Sequence, residues 1–119
     1  LLFLKLIKLL SKGGLKNVYA YYTKRSELYN LPNEISPFTK FHIIRLAIRV
    51  NNYQQFQELV EEFDQETLIK GLKESFLCTI GEFYIDNGKT KEATSFYNLL
   101  IKKFPNSKRI KETLKKLNN

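Results

Sequence analysis

The chain of 119 residues contains no methionine and no tryptophan, one cysteine, one histidine and three prolines. A single cysteine excludes an intrachain disulfide, and a lone thiol with apolar neighbours fits a reducing, intracellular setting, with the cytoplasm as the default expectation. With Cys78 and His42 each alone of their kind, a zinc site would have to take its other ligands from carboxylates, so neither metal nor cofactor is expected. The chain also lacks a glycine-rich dinucleotide fingerprint, a metalloprotease helix and a serine-nucleophile elbow, which makes a non-enzyme the expectation. No apolar run is long enough to span a membrane: LLFLKLIKLL, residues 1–10, reaches about half of the roughly 20 residues required. Because Leu1 comes first and methionine is missing, the chain is expected to be a processed product or a piece of a longer protein.

Apolar residues make up 43% of the chain, enough to bury a core within one domain. The net charge of +8 is unevenly placed. Residues 1–25 carry six Lys/Arg and no acid, residues 26–101 carry seven against eleven, and residues 102–119 carry seven against one. Basic ends thus flank an acidic middle, and an electrostatic partner is expected to meet the ends first. In the first segment Lys5, Lys8 and Lys12 share one narrow helical stripe and every other face is apolar. An inner helix covered on several sides is the favoured reading. A peripheral membrane helix, a targeting remnant and pairing with a second copy of the chain stay open.

Turn signals fall at SKGG (11–14), NLPNEISP (30–37), NN (51–52), DNGK (86–89) and FPNS (104–107). Between them apolar residues recur at spacings of three and four: Phe56, Leu59, Val60 and Phe63; Leu72, Phe76, Ile80 and Phe83; Tyr97, Leu100, Ile101 and Phe104. FHIIRLAIRV has the β-branched content of a strand, but Ser36 followed by Pro37 sets an N-cap and a proline at the first helical position, so a helix is expected there too. The prediction is helices paired as 1–12 with 15–29, 37–50 with 53–64, and 67–86 with 90–104, then a short helix from Ser107. The acidic cluster Glu58, Glu61, Glu62, Asp64 and Glu66 lacks the spacing of a calcium loop and reads as a solvated face. Cys78, inside an apolar segment without neighbouring cations, reads as packing rather than as a nucleophile.

The stretch DNGKTKEA, residues 86–93, contains a Gly-Lys-Thr that could suggest a phosphate loop. Such a loop needs glycine five residues before Gly88, where Phe83 stands, and a preceding strand where helical periodicity is found. A turn between helices is expected instead, with Thr90 as N-cap of the helix that follows. A unit counted from Glu74 reads Leu77, Ile80, Gly81, Tyr84, Gly88, Ala93, Tyr97, Leu100 and Pro105 at places 4, 7, 8, 11, 15, 20, 24, 27 and 32. This pattern resembles a tetratricopeptide repeat. Small Gly81 and Ala93 suit the closest approach of two helices, Tyr84 and Tyr97 fill the space beside them, Gly88 permits the turn and Pro105 ends the second helix. Upstream, Asn51 pairs with Gly88 and Phe56 with Ala93 at a separation of 37 residues, a looser match with a bulky side chain where alanine belongs.

The resemblance implies an all-α fold of stacked antiparallel helix hairpins: a single helical-repeat domain over 1–119, with hairpins at about 1–30, 37–64 and 67–104 and a capping helix at 107–118. It further implies that first helices line a concave groove. The groove-facing residues would be Leu4, Lys8, Ser11 and Lys12, then Phe38, Phe41, Arg45, Ile48 and Arg49, then Ser75, Cys78, Glu82, Ile85 and Asp86. Lys8, Lys12, Arg45 and Arg49, with His42 at the edge, would clamp an acidic peptide, a carboxylate or a phosphate backbone, and Phe38 and Phe41 would add apolar contacts. The Lys-and-Asn pattern of the clamp that grips chaperone tails is missing from these helices. The implied function is a non-catalytic scaffold or adaptor that binds a peptide or helix of a protein partner. An RNA-binding, pentatricopeptide-like repeat is the alternative, since that pattern also wants Gly88, Ala93 and a late proline. In the tail, Ile110, Leu114 and Leu117 make an amphipathic cap that leaves Lys108, Arg109, Lys111, Lys115 and Lys116 exposed, with nucleic-acid contact as a secondary role.

Overall fold

The computed structural model describes residues 37–119, with the side chains of Phe38 and Thr39 excepted. The expected pair over 1–12 and 15–29, with Leu4, Lys8, Ser11 and Lys12, lies outside the described residues. Within them the chain is all-helical, without a strand: α1 Pro37–Arg49, α2 Tyr53–Phe63, α3 Gln65–Gly71, α4 Glu74–Asp86, α5 Thr90–Lys103 and α6 Lys108–Leu117. The chain divides into two compact units between Asp64 and Gln65.

In the first unit α1 and α2 pack on each other. Pro37 opens α1, where its missing N–H costs nothing. Phe41, Ile43, Ile44, Leu46 and Ala47 are buried, so the β-branched run is a helix that packs rather than a strand. The helix ends in a Schellman turn: the Asn52 N–H donates to the Ala47 carbonyl and the Asn51 N–H to that of Ile48, each at 3.0 Å, with Asn51 left-handed at φ 56°. Asn52 then caps α2, its side-chain oxygen accepting from the Gln55 N–H at 3.0 Å. From α2, Phe56, Leu59, Val60 and Phe63 are buried, and the Lys40 ammonium of α1 sits 5.6 Å from the Phe63 ring centre.

In the second unit, the helix expected over 67–86 is broken into α3 and α4 at Leu72–Lys73. The break is held from another element. The Lys103 ammonium, at the end of α5, donates to the carbonyls of Ile69, of Lys70 at 3.2 Å and of Leu72 at 3.0 Å, groups that a continuing helix would have used itself. Leu72 is buried beneath them. The spacing of Leu72 and Phe76 fits an unbroken helix, so the period alone could not reveal the interruption.

The turn between α4 and α5 has the same wiring as the first. The Lys89 N–H donates to the Tyr84 carbonyl at 2.9 Å and the Gly88 N–H to that of Ile85 at 3.0 Å, with Gly88 left-handed at φ 71°. Asn87 adds a side-chain bond to the Phe83 carbonyl at 2.8 Å. Lys89, not Thr90, occupies the N-cap of α5, and no side chain caps it. The Schellman closure carries the chain into the helix one residue early, so Thr90 is already helical. Beyond α5, Pro105 lies in the turn before Ser107, whose hydroxyl oxygen accepts from the Ile110 N–H at 3.2 Å and caps α6. α6 packs on α5 through fully buried Ile110.

Candidate interaction surface

Four of the residues that carry the tetratricopeptide resemblance, Gly81, Tyr84, Ala93 and Tyr97, lie where α4 and α5 pack together. A methyl group placed on Gly81 would come within 2.6 Å of the Tyr97 ring, closer than atoms can stand. Gly81 is therefore empty so that Tyr97 can lie against its backbone. The Tyr97 hydroxyl donates to the Cys78 carbonyl at 3.4 Å, one turn before Gly81 in α4. Ala93 and Phe96 are fully buried on α5, and the Phe96 ring sits 5.9 Å from that of Tyr84 and 6.4 Å from that of Tyr97. Burial pushes the Tyr97 phenol pKa well up, and the nearby Cys78, Glu82 and Asp86 add to the rise.

The Gly-Lys-Thr stretch is the Schellman turn itself. The N–H groups of Asn87, Gly88 and Lys89 all point back at carbonyls of α4 and are spent within the turn. A phosphate cradle would need them directed outward.

Of the residues implied to face a partner, the two units present unequal sets. On α1, Arg45 and Arg49 are exposed, and His42 and Ile48 are half-buried. His42, Arg45 and Arg49 stand at helical spacings of three and four, on one stripe about 10 Å long. Burial and the Arg45 charge lower the His42 pKa, which keeps the imidazole neutral. Phe41 is only 2% exposed; it belongs to the core and offers no surface. Phe38 lies on α1, its side chain outside what is described.

On α4, Ser75, Glu82, Ile85 and Asp86 are exposed, while Cys78 is fully buried. Burial raises the Cys78 thiol pKa, with Glu74 and Glu82 opposing the lowering effect of Arg109, so the group stays protonated packing material. Glu82 is already engaged: its carboxylate pairs with the Arg109 guanidinium of α6. Sequence reasoning missed that pairing because the partners lie 27 positions apart and nothing in their spacing joins them. A second missed feature is the exposed apolar side chain of Val50 at the end of α1.

No family model matches the chain, and neither the curated proteins nor the solved structures compared with it give a match. Among the described residues no helix is long and apolar enough to cross a membrane.

Proposed function

We infer that the chain is a non-catalytic interaction module of the tetratricopeptide-like kind, built from repeated helix hairpins, that holds a peptide or helix of a protein partner. One observation carries the reading. Moved on by 37 residues, the buried positions 41, 43, 44, 46, 47, 56, 59, 60 and 63 of α1 and α2 become 78, 80, 81, 83, 84, 93, 96, 97 and 100 of α4 and α5, and every one of these is buried as well. The two Schellman turns fall into the same register. A unit that recurs in burial and in turn chemistry is what a helical-repeat module requires.

The surface offered to the partner is the exposed flank of each first helix: His42, Arg45, Ile48 and Arg49 on α1, and Ser75, Ile85 and Asp86 with the Glu82–Arg109 pair on α4. The α1 flank is cationic and suits an acidic segment; the α4 flank mixes an exposed isoleucine with charge of both signs. A photo-crosslinking side chain placed at Ile48 should trap a protein partner from cells, and Arg45→Ala together with Arg49→Ala should weaken that capture. Trapping that is indifferent to both arginines, or that occurs equally from a site on the outer surface of α2 such as Glu61, would count against the module.

A further inference from the structure

α6 carries charge that peptide binding leaves unused. Its apolar side is turned inward, with Ile110 fully buried and Thr113, Leu114 and Leu117 half-buried. The remaining surface is exposed and consists of Lys108, Arg109, Lys111, Glu112, Lys115 and Lys116. At 3.6 residues per turn, Lys111, Lys115 and Lys108 fall within a stripe about 60° wide, and Lys116 lies on the other flank, about 80° beyond Lys108. Arg109 is committed to Glu82. The four lysines make no ion pair among the described residues, and Glu112 is the lone acid among them.

We propose that the solvent face of α6 docks the phosphate backbone of duplex DNA through Lys108, Lys111, Lys115 and Lys116. Lys108 and Lys115 are about 10 Å apart along the helix axis. A helix of that length lying along the major groove runs beside the phosphates of both strands, one row on each rim. The cations sit on both flanks of a cylinder about 10–12 Å across, which matches a major groove about 12 Å wide with a phosphate row on either rim. A flat lipid surface would meet only the central stripe, and the apolar side of α6 is spent inside its own unit, leaving nothing to insert. A single strand would want aromatic platforms for its bases, and this face has none. Lysine ammonium groups are point charges that hold phosphate without reading bases, so the docking is indifferent to sequence.

The test is fluorescence anisotropy of a short labelled DNA duplex titrated with the full chain across a range of salt. Four phosphate contacts give a slope of log K against log salt of about −3.6, a loss of roughly 150-fold in affinity between about 50 and 200 mM. Replacing all four lysines by glutamine, which retains helix propensity, should abolish the salt-dependent binding while far-UV dichroism stays unchanged. The pair Lys111→Gln and Lys115→Gln should flatten the slope by about two, a readout that does not depend on the quadruple variant folding. The proposal is overturned if these variants bind with unchanged affinity and slope, or if a single strand binds as tightly as the duplex. It is equally overturned if the chain floats with anionic vesicles while leaving the duplex unbound, or if it binds none of the three.

Discussion

The pairs α1–α2 and α4–α5 bury side chains at the same spacing with different distributions of bulk. Where the second pair has Gly81 and Ala93 making way for Tyr97, the first has, 37 residues earlier, Ile44 and Phe56 with Val60, all buried. The bulk sits at position 97 in the second pair and at positions 44 and 56 in the first, and the first set is the larger overall. The turns differ in the same complementary way. Gly88 reaches its left-handed φ without a Cβ penalty but is followed by an uncapped helix start, whereas Asn51 accepts some strain and is followed by Asn52, which caps α2. The comparison teaches that one helical spacing of buried positions accepts different side-chain volumes at each of them, provided the periodic pattern is kept.

The largest expected effect breaks the comparison at its bulkiest member. Phe56→Ala imports the alanine found at position 93 without importing Tyr97, and the resulting cavity should cost about 3–5 kcal/mol, read as a lower urea midpoint and faster hydrogen exchange in α2. Next, Gly81→Ile drives a side chain into the Tyr97 ring and should cost about 3 kcal/mol. Combined with Tyr97→Val, which recreates the Ile44 and Val60 arrangement, it should cost at least about 1 kcal/mol less than the two single changes added together. Strict additivity would mean that the side chains at 81 and 97 do not compete for one space.

Lys103→Met removes the ammonium that holds the end of α3. About 1–2 kcal/mol should be lost for the carbonyls left without a donor, with faster amide exchange confined to α3 and the start of α4. Exchange spreading instead through α1 would contradict that assignment.

Smaller effects sharpen the turns. Gly88→Ala meets no atom within 4 Å, so its cost of about 1 kcal/mol should be backbone strain alone, while Asn51→Gly should change stability by only a few tenths of a kcal/mol. Equal costs at the two positions would dissolve the parallel between the turns.

The mildest effect is expected in alkali. Burial raises the Tyr97 pKa, so the folded chain keeps a proton that the unfolded chain releases near pH 10. The corresponding stabilisation is complete below about pH 10 and is lost as the pH climbs through the folded-state value. Tyr97→Phe should therefore make unfolding less steeply dependent on pH above 10 than in the parent. The Cys78 thiol, raised in the same direction, leaves a residual slope that Cys78→Ala removes.

How much of this was legible in the sequence depends on the range of the interactions. Spacings of three and four in Phe56, Leu59, Val60 and Phe63 report a helix face because period and burial are both local properties. Ser107 announced the start of α6 for the same reason. Thr90 misled by one residue, since a Schellman closure is a hydrogen-bonding choice that a threonine cannot reveal. Among the candidate surface residues, Arg45 and Arg49 are exposed where expected. Phe41 and Cys78, expected at the surface, are buried instead, because spacing along a helix does not reveal which neighbours pack over a given face.

By itself the sequence determined the helical periodicity from Pro37 onward, though not the break between α3 and α4, together with the turns at Asn51 and Gly88 and the small residues Gly81 and Ala93, since periodicity, left-handed backbone and side-chain volume are written position by position. Tertiary structure alone decided that Tyr97 occupies the space Gly81 vacates, that Lys103 ends α3 at Gly71, and that Glu82 is engaged by Arg109. Each joins residues many positions apart, and such pairs are set by how helices meet rather than by what any one segment prefers.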